Sequence, residues 1–184
     1  ESEQAYKRAV SLDSMDASLW SNLASVYLNT GQNTEAEAVL KKAVLLDSTF
    51  RNAWNNLGSL YLNTGRYAEA EPVLKKAISL DAKFANPHRH LAMLCFKTGR
   101  LEEARQGFLK GIELNPNYAG ALLGMAYIGA AEGKMSDALG YVEQAIQKKA
   151  TFPQLQKDED LAPLRALPEW KALLKKYFSD EIKD

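Results

Sequence analysis

The sequence predicts an all-α protein built from repeated helix–turn–helix units. Residues recur at intervals of 34 positions over most of the 184-residue chain, and each interval holds two runs of helical periodicity separated by a glycine. Five columns follow this step: Trp20, Trp54, His88 and Leu122; Gly31, Gly65, Gly99 and Gly133; Ala36, Ala70, Ala104 and Ala138; Leu40, Leu74, Phe108 and Val142; and Ala43, Ala77, Gly111 and Ala145.

The first helix of each repeat is predicted from an apolar stripe that ends before the glycine. In the first full repeat, this stripe is Trp20, Leu23, Ala24 and Tyr27, at the i, i+3, i+4, i+7 spacing of one helix face. Gly31 follows where this helix must end, and glycine tolerates the left-handed backbone that such an end requires. We therefore expect a tight turn at every repeat glycine.

The second helix of each repeat is predicted from the small and large apolar residues that follow the turn, such as Ala36, Leu40 and Ala43. Small residues also recur on the first helix, at Ala24 and Gly58. A bulky side chain at these positions would push two helix axes apart. The small columns therefore predict closely packed helix pairs.

This pattern resembles the tetratricopeptide repeat (TPR) family, whose signature reads W-x2-L-G-x2-Y, a glycine turn, A-x3-F-x2-A and a late proline. The segment WNNLGSLYLNTGRYAEAEPVLKKA, from Trp54 to Ala77, matches almost every position. The third repeat departs from the signature at His88 and Cys95, and the fourth is the most degenerate. The resemblance covers about residues 1–150 and implies a right-handed superhelical solenoid.

The period divides the chain into a partial repeat, four repeats and a tail. The predicted boundaries are 1–14 for the second helix of a preceding partial repeat, 17–50, 51–84, 85–118 and 119–150 for the four repeats, and 151–184 for C-terminal capping helices. A cap is expected because the end of a solenoid exposes an apolar face. The last helix would present Trp170, Leu173, Leu174 and Tyr177 to it.

Composition narrows the classes of function. Lys plus Arg equals Asp plus Glu, at 23 each, which argues against nucleic acid and anionic membranes as partners. No apolar run approaches the roughly 20 residues of a membrane span. A soluble, cytoplasmic protein is the expectation, although the sequence does not determine the compartment. The polar opening ESEQAYKRAV lacks a starting Met and suggests a piece of a longer protein, in which there is room for a targeting segment before Glu1.

The sequence predicts no catalytic residue, metal site or cofactor. His88 and His90 are the only histidines, and two positions along a helix place them about 200° apart, so they cannot share a metal. Cys95 occupies an apolar column and is expected in the core. The repeat glycines serve turns and form no phosphate-binding loop.

The exposed face of each first helix is the candidate binding surface, because the resemblance to TPR arrays implies that first helices line a concave groove. In the first two repeats, ten such positions hold six Asn, four Ser and no charged residue. Asn offers a donor and an acceptor to an extended peptide backbone. The predicted peptide-binding residues are Ser21, Asn22, Ser25, Asn52, Asn55, Asn56, Ser59, Asn86, Arg89, His90, Met93 and Tyr127.

Two kinds of TPR site bear on this surface. Asn22 and Asn56 share one column and resemble a short asparagine ladder, the feature by which the O-GlcNAc transferase array grips peptide backbone. Repeat ancestry alone would also explain this column. The carboxylate clamp for acidic chaperone tails is disfavoured, because its basic columns hold Ser21, Asn86 and His90.

The sequence therefore predicts a protein–protein interaction module, a scaffold or adaptor that binds a peptide or partner protein in its groove. Two alternatives stay open. The chain could be the substrate-recruiting arm of a larger enzyme, or it could self-associate through the N-terminal half-repeat, where Tyr6 and Val10 would form an uncapped apolar face.

Overall fold

The computed structural model describes residues 2–181, which form twelve α-helices and one 3-10 helix and, within that range, no β-strand. The α-helices are α1 (Ser2–Leu12), α2 (Ala17–Asn29), α3 (Asn33–Leu46), α4 (Arg51–Asn63), α5 (Tyr67–Leu80), α6 (Ala85–Lys97), α7 (Leu101–Leu114), α8 (Ala119–Ala131), α9 (Met135–Gln147), α10 (Phe152–Lys157), α11 (Ala162–Arg165) and α12 (Pro168–Phe178). The 3-10 helix is Glu159–Leu161. The all-α repeat architecture is therefore confirmed.

The described residues divide after Leu94 into two compact units. The N-terminal unit holds α1 to α5 and most of α6, and the C-terminal unit holds the end of α6 and α7 to α12. Within the N-terminal unit α2 packs against α3, and α4 packs against α5. Within the C-terminal unit α8 packs against α9.

Each repeat glycine ends a first helix in the left-handed conformation. Gly31 has φ of 74°. The amide of Gln32 bonds to the carbonyl of Tyr27 at 2.9 Å, and that of Gly31 to the carbonyl of Leu28 at 3.2 Å. This is the Schellman arrangement, which satisfies carbonyls that the helix end would leave unpaired. The other repeat glycines have the same positive φ: Gly65, Gly99 and Gly133.

Close helix packing explains the small columns. Gly58 lies against α5 so tightly that an added Cβ would be 2.5 Å from Leu74 Cδ2. Ala24 and Ala36 are fully buried. The small residues thus let each helix pair approach at backbone distance, as the sequence indicates.

In the first three repeats, the residue of the Trp column bonds the first helix to the loop before it. Trp20 Nε1 donates to the carbonyl of Ser14 at 2.9 Å, and Trp54 Nε1 donates to that of Ser48 at 3.0 Å. His88 Nε2 lies 3.0 Å from the carbonyl of Ala82, six residues upstream as in the other two repeats. A ring nitrogen at the same place explains why histidine can replace tryptophan in the third repeat.

The N-terminal helix uses its apolar face within its own unit. Val10 is buried, and Tyr6 is half-buried against the core that α2 to α5 form. α1 packs against α2. The residues expected to form an uncapped face for self-association are therefore largely engaged inside the unit.

An ion-pair network links the first two repeats. Glu37 on α3 accepts hydrogen bonds from Arg66 at 2.5 Å and from the Tyr61 hydroxyl at 3.1 Å, and it pairs with Lys41 at 2.7 Å. The bond from Arg66 and then that from Lys41 lower the pKa of Glu37 to about 2. The carboxylate therefore stays ionised at neutral pH.

In the C-terminal unit, the tail covers α8 and α9. Every residue from Ala121 to Ala130 is buried. The tail contributes Leu155, Leu161 and Leu164, each at 0% exposure. Trp170 on α12 is also buried, and α12 packs against α9. The tail thus encloses the most apolar helix of the chain, which could not stay in water alone.

Candidate peptide-binding groove

A cavity of about 390 Å³ opens in the N-terminal unit, on part of the surface that the sequence predicts to bind a peptide. We call it the amide cavity, because five of its nine lining residues are asparagines. Its lining consists of Ser21, Asn22, Ser25, Phe50, Asn52, Asn55, Asn56, Phe84 and Asn86. None of these residues carries a charge, so the cavity offers hydrogen bonds and aromatic surface to a ligand.

Seven of the twelve residues expected to bind a peptide line this cavity, and the other five do not. The seven are Ser21, Asn22, Ser25, Asn52, Asn55, Asn56 and Asn86. Ser59, Arg89 and Met93 are half-buried outside the lining. His90 is buried, and Tyr127 lies in the C-terminal unit.

Two aromatic residues of the lining were missed from the sequence. Phe50 directly precedes α4, and Phe84 directly precedes α6. The Arg51 guanidinium stacks over the Phe84 ring at 5.0 Å and pairs with Asp81. The signal was available, because aromatic residues follow the 34-residue step at Phe50, Phe84, Tyr118 and Phe152.

A buried histidine orients two of the asparagines. His90 Nδ1 lies 3.0 Å from Asn55 Oδ1, and Asn55 Nδ2 donates to Asn56 Oδ1 at 3.3 Å. Because the Asn55 oxygen can only accept, Nδ1 of His90 carries the proton. Burial, with a smaller contribution from the Arg89 charge, lowers the pKa of His90 to about 3. The imidazole is therefore neutral and supports the groove as a fixed donor.

This arrangement differs from the expectation that His90 faces a ligand. Its side chain is 8% exposed and fills the space behind Asn55. With the Asn56 oxygen occupied by Asn55, the Asn56 amide nitrogen has no further hydrogen bond within residues 2–181. That nitrogen is a donor held ready at the cavity wall.

The side chains of Asn22, Asn52 and Asn86 make no hydrogen bond to the described part of the protein. Asn22 and Asn52 are exposed, and Asn86 is half-buried. Each amide brings one acceptor and two donor hydrogens to the same cavity. The cavity can therefore bond several consecutive peptide groups of an extended chain.

The equivalent face in the C-terminal unit is closed by the chain itself. Tyr127 is 5% exposed and donates its hydroxyl hydrogen to Asp158. Lys97 Nζ lies 2.7 Å from both carboxylate oxygens of Asp160. Residues 158–161 thus lie on the surface where Tyr127 was expected to contact a ligand.

The described residues show no arrangement typical of a metal site. Between positions 2 and 181, no group of three or more His, Cys, Asp or Glu side chains comes together. Cys95 is buried, as its apolar column indicated. None of the helices described between those positions has the length and apolarity needed to cross a bilayer.

Comparisons with known proteins agree with this fold. Two Tetratricopeptide repeat models match the chain, over residues 15–83 and 61–125. No curated protein sequence matches it significantly. The crystal structure of MamA is 25% identical with a TM-score of 0.66, over 80% of this chain and 86% of MamA.

Two further solved structures share the fold at lower identity. PilF of Pseudomonas aeruginosa is 21% identical with a TM-score of 0.71, over 95% of this chain and 82% of PilF. YrrB, described as a TPR protein with an unusual peptide-binding site, is 21% identical with a TM-score of 0.65, over 96% of this chain and 89% of YrrB.

The family matches and the fold together support a protein-interaction module with protein or peptide partners. TPR proteins are generally non-catalytic. The matched segments jointly span residues 15–125, and they contain three of the four glycine turns, at Gly31, Gly65 and Gly99. The chain therefore belongs to the tetratricopeptide repeat family.

Proposed function

We propose that the amide cavity binds an extended, uncharged peptide segment of a partner protein, and that the chain acts through it as a scaffold or adaptor. The observation that carries this proposal is a cavity with five asparagines and no charged residue in its lining. A surface of this kind recognises peptide backbone, because every peptide group presents one donor and one acceptor whatever its side chain.

Asn22 and Asn56 are the central pair. They occupy equivalent positions on α2 and α4, one repeat apart, and both line the cavity. Amides at a regular spacing can bond successive peptide groups of one extended strand. Asn56 is held in place by Asn55, so a ligand would not have to order its side chain on binding.

Phe50 and Phe84 supply the apolar part of the site. Both rings line the same cavity as the amides, and Arg51 stacks on Phe84. Burial of an apolar ligand side chain against them would contribute roughly 25 cal/mol for each Å² removed from water. The preferred segment therefore carries an apolar side chain between exposed peptide groups.

The neutral lining also favours one class of ligand over another. An acidic segment would lose hydration on entering the cavity and find no cation in the lining to replace it. An uncharged segment loses less hydration free energy on entering the cavity. We therefore expect selection for neutral sequences, in contrast to a clamp for acidic tails.

The test is a selection of short random peptides against the protein, followed by affinity measurement of the selected peptides. Replacing Asn22 and Asn56 together by Ala should weaken binding roughly tenfold to hundredfold, because each lost hydrogen bond contributes about 0.5–1.5 kcal/mol. Circular dichroism checks that the helices remain.

A matched control is the pair Asn29 and Asn63, which also lie one repeat apart on α2 and α4 but outside the lining. Replacing them by Ala should leave the affinity unchanged. Equal losses in both double variants, or no loss in the first, would contradict the proposal, as would a selection dominated by acidic peptides.

A further inference from the structure

A second cavity, of about 490 Å³, lies in the C-terminal unit against α12. Its lining consists of Gln156, Arg165, Trp170, Lys171, Leu174, Lys175 and Ser179. Three of these residues are cations and none is an acid. It shares no residue with the amide cavity and is therefore a separate site from the one proposed above.

The two lysines of this cavity carry unbalanced charge. Lys171 and Lys175 lie one turn apart on α12, and neither has an acidic partner within residues 2–181. Like charges at this spacing repel one another. Lys176 on the same helix differs, because it pairs with Glu143 at 2.7 Å. The positive charge at the cavity is thus left without the ion pair that a neighbouring lysine has.

Arg165 adds a fixed third cation. One of its terminal nitrogens donates to the backbone carbonyls of Leu155 and Asp158, which anchors the guanidinium within the tail. Its Nε is the one buried side-chain nitrogen or oxygen of the described residues without a hydrogen-bond partner. A buried donor without a partner is costly, so the guanidinium keeps unsatisfied hydrogen-bonding capacity beside the cavity.

The rest of the wall is apolar. Trp170 and Leu174 are 2% and 3% exposed, so they form a rigid floor that the core supports and that offers a ligand only a narrow apolar strip. The volume falls within the range of about 300–1,000 Å³ that holds small ligands or a few peptide side chains. The site therefore combines a charge requirement with an apolar surface of limited size.

We propose that this cavity, lined by Arg165, Lys171, Lys175, Trp170 and Leu174, binds an acidic peptide segment that carries one apolar side chain among its carboxylates. The three cations of the lining favour carboxylates in the ligand. The floor of Trp170 and Leu174 favours one apolar side chain among them. Inorganic phosphate satisfies only the first requirement, and a nucleic acid would need a longer basic surface than three residues provide. The two cavities then select opposite ligands, neutral in the N-terminal unit and acidic in the C-terminal unit.

The probe is a peptide with two aspartates on each side of a phenylalanine, acetylated and amidated so that only side chains carry charge. Calorimetry should detect its binding at low ionic strength and weaker binding as salt is added. Lys171→Gln with Lys175→Gln should reduce the affinity about tenfold, as expected for two partly exposed ion pairs. Arg165 is left unchanged, because its bonds to the tail support the fold.

The matched control is Lys42→Gln with Lys76→Gln, an exposed pair on α3 and α5 that removes the same charge elsewhere. It should bind the probe as the unmodified protein does. Two altered probes, with asparagine for aspartate or glycine for phenylalanine, should each bind more weakly, and phosphate should compete poorly.

Four results would overturn the proposal: no binding of the probe, the same loss in both double variants, equal binding of either altered probe, or displacement by phosphate as effective as by the peptide. Circular dichroism of the Lys171→Gln, Lys175→Gln protein excludes unfolding as the cause of a loss, since both side chains are exposed.

Discussion

Helices α4 and α8 occupy the same place in their repeats, yet one borders an open cavity and the other is enclosed. The positions Asn52, Asn55, Asn56 and Ser59 of α4 become Gly120, Leu123, Gly124 and Tyr127 of α8 after two steps of 34 residues. Asn52, Asn55 and Asn56 line the amide cavity, whereas Leu123 and Tyr127 are buried in the C-terminal unit.

The difference teaches that composition decides whether such a face needs an internal partner. A face of amide side chains can hydrogen-bond to water when no ligand is bound. A face with Leu123 and Tyr127 is stabilised when its apolar surface is removed from water. The chain supplies that cover with its own residues 152–165, including Leu155 and Leu161. Binding capacity in a repeat array therefore depends on which faces the same chain already uses.

The largest effect is expected when the packing of the tail on α8 is weakened. Leu161→Ala should lower the free energy of unfolding of the C-terminal unit by about 3 kcal/mol, because Leu161 is fully buried and a cavity would remain. Amide hydrogen exchange reports the unit separately from its neighbour. Leu109→Ala, at a site 47% exposed, is the control and should change little. A loss below about 1 kcal/mol would show that the tail is not the essential cover.

Acidification tests the role of buried His90 behind the amide cavity of the N-terminal unit. The pKa of His90 is lowered to about 3, below its unfolded value near 6.5, so the unfolded chain binds a proton that the folded one does not. Stability from the neutral imidazole is complete above pH 6.5 and is lost as pH falls towards 3, by up to about 1.4 kcal/mol for each pH unit.

Denaturant titrations of the N-terminal unit at pH 7 and pH 5 measure this loss. His90→Gln keeps a hydrogen-bonding side chain but cannot titrate, so its stability should change less over that interval. His88→Gln serves as the control, because His88 is only half-buried, and should retain the dependence. An unchanged pH dependence in His90→Gln would contradict the role assigned to the buried imidazole.

The smallest change in stability is expected at Gly124 of α8, the position equivalent to Asn56 of α4. A Cβ at Gly124 would lie 2.2 Å from Phe108 Cε1, so Gly124→Ala should destabilise the C-terminal unit by about 1–2 kcal/mol. Gly140→Ala meets nothing within 4 Å and should stabilise α9 by about 0.5–1 kcal/mol. Thermal unfolding distinguishes the two, and a shift of the same sign in both variants would refute the packing argument.

Much of the site was predictable from the sequence, since seven of the predicted residues line the amide cavity. Six of them lie on α2 and α4 and Asn86 lies on α6, and the face of a helix follows directly from residue spacing. Phe50 and Phe84 were not predicted as part of the lining. They lie at helix boundaries, where the direction of a side chain depends on the loop. The sequence did not predict that His90 is buried behind the lining, because its partner Asn55 is on another helix.

The sequence by itself determined the helices, the glycine turns, the small columns and the family, because each is a local or periodic property of the chain. Only the tertiary structure decided which faces stay open. The tail lies outside the repeat, so no periodic pattern predicts that Asp158 contacts Tyr127 or that Asp160 pairs with Lys97. Such contacts depend on how segments far apart in sequence fold together, and burial of apolar surface selects among them.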